Sequence, residues 1–266
     1  MFLKLVFKRR WFLTTLLVIA AVGVLVRLGL WQLDRLHQRR EFNAKVVSEI
    51  EQPPLDLTAE APEDLSGMQY RHAVVEGEYD HSNQVILINQ VYQGKYGARL
   101  LTPLHILGSD KVILVDRGWI PAEEALSGTW DQYDEPGLVK ISGVIRLSET
   151  KPDFGSTNDP TPLPGGEQIK RWNLANLDQM AQQLPYPIVD VFLQAAPDPS
   201  WTRLPYRTEP ELDLTEGSHL SYALQWFSFA AILAVGYPIF LRREEQAAQQ
   251  KKNQQATSSN TEELVS

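Results

Sequence analysis

The sequence predicts a membrane protein in which two transmembrane helices flank a mainly antiparallel β domain, a barrel or a sandwich, with one or two helices of its own. Each end of the chain carries an uncharged apolar run, residues 11–26 and 220–241. Between these runs lie several short β-type segments bounded by Gly, Pro, Asn or Asp. The 266 residues are 43% hydrophobic, which is enough to build a folded core as well.

Both apolar runs are long enough to cross a bilayer. The first continues past Arg27 to Trp31, and about 20 apolar residues span about 30 Å of hydrocarbon. A cleaved signal peptide is the alternative, because basic residues precede this run. The run is longer than a usual signal sequence, and no clear small-residue cleavage site precedes Arg27. We therefore predict retained transmembrane helices over 11–31 and 220–241.

The distribution of basic residues predicts the topology. Lys and Arg cluster just before the first span, and Arg242 and Arg243 follow the second. The positive-inside rule places both termini in the cytoplasm, although Arg35, Arg39 and Arg40 oppose it. The absence of a transit segment rich in Arg and Ser favours a multi-pass protein of the bacterial inner membrane. The predicted parts outside the spans are a basic cytoplasmic N-terminus (1–10), a periplasmic β-rich domain (32–219) and a disordered cytoplasmic tail (242–266).

Composition and motifs exclude several classes of function. The chain has no cysteine, so disulfides, thiolate metal sites and cysteine nucleophiles are excluded. A formal net charge of -8 argues against general nucleic-acid binding. The sequence contains no phosphate-binding loop, no dinucleotide glycine fingerprint, no zinc-protease motif and no serine nucleophile elbow. We expect a protein that is not an enzyme.

The middle of the chain predicts a small β domain. Alternating or continuous apolar residues predict strands over 71–79, 84–91, 99–107, 112–115, 139–147 and 188–194. Apolar residues at helical spacing predict a helix over 174–184, with Asn173 as its N-cap.

The second span carries the strongest functional signal. At 100° per residue, His219, Tyr222, Trp226 and Phe229 share one face of a helix. Polar residues inside a span usually face another helix or a cavity. An aromatic belt at the headgroups is the alternative, with Ser218 as N-cap and His219 at the membrane surface. An adjoining polar stripe contains Ser218, Ser221, Gln225 and Ser228.

Arg27 lies near the outer end of the first span. Ala20, Gly23 and Arg27 share a face, and small residues allow helices to approach closely. The sequence therefore predicts that Arg27 and His219 meet at a similar depth. An imidazole can ligate haem iron, and an arginine can pair with a haem propionate. The alternative is that Arg27 extends along the helix to the headgroups.

Three motifs, together with the two spans, resemble one protein family. They are LGLWQLDRL at 28–36, DRGWIP at 116–121 and HLSYALQWF at 219–227. In this order the chain, over roughly residues 10–245, resembles the Surfeit locus protein family of cytochrome c oxidase assembly factors. The resemblance implies transient binding of haem a and its insertion into subunit I of the oxidase. It also implies that His219 is the ligand of the haem iron.

These arguments define the predicted site residues. Besides His219, the residues expected to contact haem a are Tyr222, Trp226 and Arg27. The residues expected to contact partner proteins, namely oxidase subunit I and haem a synthase, are Arg117, Trp119, Trp31 and Arg35. Packing within the domain is the alternative for Trp119, and anchoring in membrane lipid is the alternative for Trp31. The alternative function is a membrane scaffold that binds no haem and stabilises an oxidase assembly intermediate.

Overall fold

The computed structural model describes residues 10–60, 62, 64–152, 159, 161–163 and 166–263, with side chains through residue 254. The predicted basic N-terminus therefore lies almost entirely outside the described residues. The chain divides into two compact units. One comprises the two ends of the chain, up to Asn43 and from Leu214 onwards, and the other comprises Ala44–Asp213.

The regular elements confirm the predicted fold class. The helices are α1 (Phe12–Ile50), α2 (Ala122–Ala125), α3 (Leu177–Ala181) and α4 (His219–Glu263). The strands are β1 (Leu55–Asp56), β2 (His72–Tyr79), β3 (Val85–Tyr92), β4 (Lys95–Ile106), β5 (Val112–Pro121), β6 (Leu138–Leu147), β7 (Arg171–Trp172) and β8 (Val191–Ala195). Single turns of 3₁₀ helix lie at His81–Asn83 and Asp131–Tyr133.

Helices α1 and α4 are long and apolar enough to cross a membrane. Within the apolar stretch of 18 residues in each helix, only 11% of the residues are buried, whereas the core helix of a soluble protein is mostly buried. Both helices run beyond the predicted spans. α1 continues past Trp31 because residues 32–50 contain no Gly or Pro, and Gln38 donates to Asp34 across one turn (3.0 Å).

The tail predicted to be disordered, residues 242–266, is helical over the part that the structure describes. α4 continues without a break to Glu263. The residues that follow Leu241 are mainly Arg, Glu, Gln, Ala and Lys, which are strong helix formers. A low apolar content predicts the absence of a core, but it does not prevent a helix from extending when its first turns are already formed.

The second unit contains a closed barrel. Its strands pair in the order β2–β6–β8–β5–β4, and β4 closes the ring by pairing with β2. All pairs in this ring are antiparallel except β5 with β8. One edge of β4 pairs with two strands. Its residues 95–101 pair with β3, and its residues 104–106 pair with β2. The remaining strands extend the sheet, with β1 beside β2 and β7 beside β3.

Apolar side chains fill both the barrel and its outer faces. One outer cluster packs α3 and Trp172 against β3 and β5, and another packs α2 and Trp130 against β3 and β4. The burial of these clusters explains why the strand segments are apolar on both sides of the sheet. The largest cluster lies among β2, β4, β5, β6 and β8 and contains Leu57, Leu65, Ala73, Val75, Leu104, Ile106, Ile113, Val115, Ile141, Ile145, Val191, Leu193 and Ala195.

Most predicted strands are confirmed, whereas the predicted helix is shorter and starts later. α3 begins after Asn176, whose side chain accepts from the backbone of Gln179 (3.2 Å). Asn173 is not the cap, because its backbone and amide nitrogens both donate to Asp159. The strand predicted over 112–115 extends to Pro121, because the polar residues in its second half are buried and paired.

Gly118 generates the first testable prediction. Its φ is +128°, and a Cβ at this position would lie 2.6 Å from the carbonyl oxygen of Tyr206. Gly118→Ala should lower the free energy of unfolding by roughly 2–4 kcal/mol, because strain and a backbone clash act together. Denaturant unfolding of the full-length protein in detergent, followed by tryptophan fluorescence, measures this loss.

Gly108→Ala is the matched control. Gly108 also has a positive φ, +76°, but no atom lies within 4 Å of an added Cβ. Gly108→Ala should lower the free energy of unfolding by only about 1 kcal/mol, through backbone strain. Equal losses in the two variants would contradict the role of the close approach between Gly118 and Tyr206.

Candidate functional site

His219 is the first residue of α4, and α1 determines its orientation. Its Nδ1 lies 2.8 Å from Oε1 of Gln32. An amide oxygen can only accept, so Nδ1 is the donor and carries the proton. In the neutral ring, Nε2 then carries the free lone pair. Among the residues that the structure describes, none forms a hydrogen bond with Nε2.

Gly217 leaves space beside the same imidazole. A Cβ at Gly217 would lie 3.5 Å from Cδ2 and 3.7 Å from Nε2 of His219. Any larger residue would therefore cover one side of this nitrogen. The φ of Gly217 is +66°, a conformation that also favours glycine. The chain thus turns into α4 without placing a side chain against the free nitrogen.

The two long helices pack antiparallel along one seam. Trp11 contacts Phe240 edge to face, with centroids 5.9 Å apart, and Thr15 shares a hydrogen bond with Tyr237 (2.7 Å). At Gly29 an added Cβ would lie 2.6 Å from the ring of Phe227. From Trp11 to Gln32 the helix rises about 30 Å, which matches the hydrocarbon thickness of a bilayer. Gln32 and His219 therefore lie at one end of a seam of membrane length.

The chain leading into α4 is held on α1 by polar contacts. Arg40 donates through Nε and Nη2 to the two carboxylate oxygens of Glu216, both at 2.8 Å. Asn43 donates to the carbonyl oxygen of Leu214 (2.6 Å), and Arg39 donates to that of Thr215 (3.0 Å). These bonds fix the segment just before His219, and so they fix where α4 begins.

The predicted face of α4 is only partly the face that packs. Ala223 and Ala230 are almost fully buried, and Trp226 is half-buried. Tyr222 is 48% exposed and Phe229 is 44% exposed, so both lie at the edge of the seam. Small residues form the contact because they allow the helix axes to come close. The proposed contact of Tyr222 and Trp226 with a haem stays a prediction.

The predicted meeting of Arg27 with His219 is wrong. Arg27 is exposed, and Gly23 on the same face has no atom within 4 Å of an added Cβ. The helix rotates by about 140° between residues 27 and 32, so the seam carries Gly29 and Gln32 instead. The group opposite His219 is therefore a neutral amide and not a guanidinium.

The polar stripe of α4 does not face α1. Ser221, Gln225 and Ser228 are exposed within the chain. The hydroxyl of Ser221 donates to the carbonyl oxygen of Ser218 (2.9 Å), and that of Ser228 donates to Leu224 (2.8 Å). The two serines satisfy their hydroxyls within their own helix, which explains how the stripe can exist without a partner helix.

Arg117 was predicted to bind a partner, but its side chain is fully buried. Its guanidinium pairs with Glu135 (Nη2 to Oε1, 2.8 Å), donates to the carbonyl oxygen of Tyr133 and lies 4.9 Å from the centre of the Tyr79 ring. Arg207 approaches the other oxygen of Glu135 at 3.5 Å. Burial raises the pKa of the Tyr79 phenol far above its ordinary value, so this ring stays neutral. The cluster stabilises the barrel and offers no surface to a partner.

Trp119 is likewise part of the fold, in agreement with the packing alternative. It is 3% exposed, and its backbone exchanges two hydrogen bonds with Tyr206 (2.9 and 2.8 Å). The two rings are almost parallel, with centroids 6.4 Å apart. Trp31 and Arg35 do lie on the surface, where the guanidinium sits 5.8 Å from the indole centre. A partner or lipid contact through these two residues stays a prediction.

Gln32 is the site residue that sequence reasoning missed. It lies at the end of the first apolar run, inside the motif LGLWQLDRL. A polar amide at the end of a span was the available signal. The relative rotation of the two helices was needed to bring it to His219. Among the described residues, no group of three or more His, Asp or Glu side chains could hold a metal ion.

Comparison with known proteins identifies similar chains. The model of the SURF1 family matches residues 19–231, which include all three motifs. A SURF1-like protein of Monosiga brevicollis is 27% identical over 235 residues, covering 82% of this chain and 83% of that protein. Surfeit locus protein 1 of Homo sapiens is 27% identical over 225 residues (77% and 69%). The Takifugu rubripes protein of that name is 26% identical over 225 residues (77% and 87%).

Removal of the buried guanidinium should destabilise the barrel. Arg117→Ala leaves the largely buried carboxylate of Glu135 with Arg207, 3.5 Å away, as its remaining ion-pair partner among the described residues, which should cost about 3–5 kcal/mol. Lys140→Ala is the control, because Lys140 pairs with Glu76 on the surface and should contribute less than about 1 kcal/mol. Denaturant unfolding of the full-length protein measures both losses. A stable Arg117→Ala protein would show that the pair does not hold the fold.

Gly29 should be essential for the helix seam. Gly29→Leu places a side chain where the Phe227 ring lies, which should destabilise the helix pair by roughly 1–3 kcal/mol. Gly23→Leu makes the same change on the open face of α1 and should have little effect. Titration of detergent-solubilised protein with SDS, followed by far-UV circular dichroism, measures the difference. Equal sensitivity of the two variants would contradict the packing at Gly29.

Proposed function

This chain belongs to the SURF1 family, and from that premise we propose that it is a membrane carrier that holds haem a through His219 and delivers it to subunit I of cytochrome c oxidase. Membership of the family supports a role in cytochrome c oxidase assembly. The haem is the cargo of this proposal. Subunit I is the proposed recipient, and haem a synthase is the proposed donor.

The free Nε2 of His219 is the observation that carries the proposal. A neutral imidazole nitrogen is a common axial ligand of haem iron. Here the other nitrogen is engaged by Gln32 at 2.8 Å, and Gly217 leaves the approach to Nε2 open. The residues present therefore fit an axial ligand role. This fit supports one protein ligand, which is compatible with binding that must later be reversed.

The apolar surroundings also support a hydrophobic cargo. Tyr222 and Phe229 expose ring surface on α4 within three turns of His219, next to the half-buried Trp226. We assign Tyr222 and Trp226 to the wall beside the porphyrin. Arg27 is exposed on another face of α1, away from the contact between Gln32 and His219, so the proposed haem site does not use it. Its simpler role is to extend towards the headgroups.

The proposed location is a bacterial inner membrane with both termini in the cytoplasm. The antiparallel packing of α1 on α4 supports two ends on the same side. Arg10 precedes the apolar part of α1, and Arg242 and Arg243 follow that of α4. Basic residues at these ends support a cytoplasmic side there. His219 and Gln32 would then lie at the outer boundary of the membrane.

A scaffold that binds no haem is the second candidate function. The burial of Arg117 and Trp119 favours it in one respect, because the DRGWIP motif serves the barrel and not a cofactor. A family motif that preserves a fold is compatible with a domain that acts by contact alone. In that case the outer surface of the barrel, and not His219, would support oxidase maturation.

Substitution of His219 distinguishes the two candidates. The full-length wild-type protein, His219→Ala and His37→Ala are purified in detergent from a host that makes haem a. We expect stoichiometric haem a in the wild type and its loss in His219→Ala, because the axial ligand is gone. His37 is 71% exposed, and among the described residues it pairs with Glu41 alone, so its removal should leave the haem unchanged. The reduced absorption spectrum and identification of the extracted haem measure the outcome.

Each other outcome has a distinct meaning. Haem in equal amounts in wild type and His219→Ala would show that His219 is not the essential ligand. No haem in any of the three proteins would contradict the carrier. In that event intact oxidase maturation in cells carrying His219→Ala would favour the scaffold.

A further inference from the structure

The contact between Gln32 and His219 has a direction that bears on ligand chemistry. Oε1 of Gln32 lies 2.8 Å from Nδ1 of His219, in a partly buried position. The two nitrogens of a neutral imidazole are distinct, and the hydrogen bond at one decides which of them carries the proton. An acceptor at Nδ1 therefore favours the tautomer with the proton on Nδ1 and the lone pair on Nε2.

The position of the amide is fixed by the elements around it. Gly29 packs against Phe227 just under one turn before Gln32, and Leu36, one turn after it, is 5% exposed. On the other side, the pair Arg40–Glu216 and the turn at Gly217 fix the start of α4. Neither side of the hydrogen bond can move far without breaking these contacts. The amide is thus held in place before any ligand arrives.

We infer that Gln32 is the positioning residue of the haem site: it accepts the Nδ1 proton of His219, holds the ring in one tautomer and orientation, and so presents Nε2 to iron. This inference rests on the proposed carrier function. Histidine ligands in metalloproteins commonly donate their second ring N–H to a carbonyl or carboxylate, and loss of that partner weakens metal binding. Gln32 touches no iron and acts only through His219.

The tautomer can be measured without any haem. The full-length protein, labelled with ¹⁵N-histidine, is studied in detergent micelles at alkaline pH by long-range ¹H–¹⁵N correlation, and His219→Ala identifies the His219 signal. We expect the wild type to carry the proton on Nδ1. Gln32→Leu removes the acceptor and should shift the population towards the proton on Nε2. Gln32→Glu retains an acceptor and should keep the wild-type tautomer.

Haem affinity is the second readout. Haem a extracted from purified cytochrome c oxidase is titrated into the same proteins and followed by the Soret band. Gln32→Leu should bind 10–100-fold more weakly, which is the usual effect of losing such a partner. Gln32→Glu should restore the affinity or exceed it. Gln38→Leu makes the same substitution at an exposed amide of α1 and should leave tautomer and affinity unchanged.

The outcomes separate this inference from the proposed function. A wild-type protein that binds no haem a overturns the carrier function, and with it the role of Gln32 towards iron. A wild type that binds haem a, with Gln32→Leu unchanged in tautomer or in affinity, overturns the role of Gln32 alone. A Gln32→Glu protein that binds as weakly as Gln32→Leu also overturns it, because an acceptor would then not be the feature that matters. Far-UV circular dichroism confirms that each variant is folded.

Discussion

The close packing of α1 on α4 at Gly29 is the constraint on which the candidate site depends. The Phe227 ring occupies the space where any side chain at position 29 would lie. Gln32 follows less than one turn later on the same face, so the contact at Gly29 determines where its amide can be. The bond that results joins residues 187 positions apart in the chain. The entropy lost in closing such a loop grows only logarithmically with its length, so a row of good contacts can offset it.

In the barrel, the burial of one strand, β5, determines which of its side chains must be paired. β5 has neighbours on both edges and is buried at every position but its last. Its two charged residues must therefore be paired, Asp116 with Arg99 of β4 and Arg117 with Glu135. Gly118 leaves room for Tyr206 to approach, and Trp119 stacks on that same residue. Contacts within the barrel domain thus explain each of residues 116–119 of the DRGWIP motif.

The sequence predicts the parts of this structure that local patterns control. Apolar runs bounded by turn residues define β2, β3 and β6 to within one residue at each end, and uncharged runs define the apolar parts of α1 and α4. It does not predict the burial of Arg117, because the compensating Glu135 comes from a segment that folds back over the strand. It also places Arg27 on the seam, because small residues occur on two faces of α1. Only the partner helix shows that Gly29, and not Gly23, makes the contact.

A neutral amide beside His219 suits a carrier better than a charged partner would. A carboxylate hydrogen-bonded to a histidine raises the basicity of the other ring nitrogen and strengthens its bond to a metal. It would also place a net charge at the boundary of the hydrocarbon, where ionised groups are costly. An amide oxygen selects the same tautomer without adding a net charge, and because it is a weaker acceptor than a carboxylate it strengthens the metal bond less. In the proposed carrier, Gln32 would therefore orient His219 while strengthening the iron bond less than a carboxylate would, which suits a protein that must release its cargo.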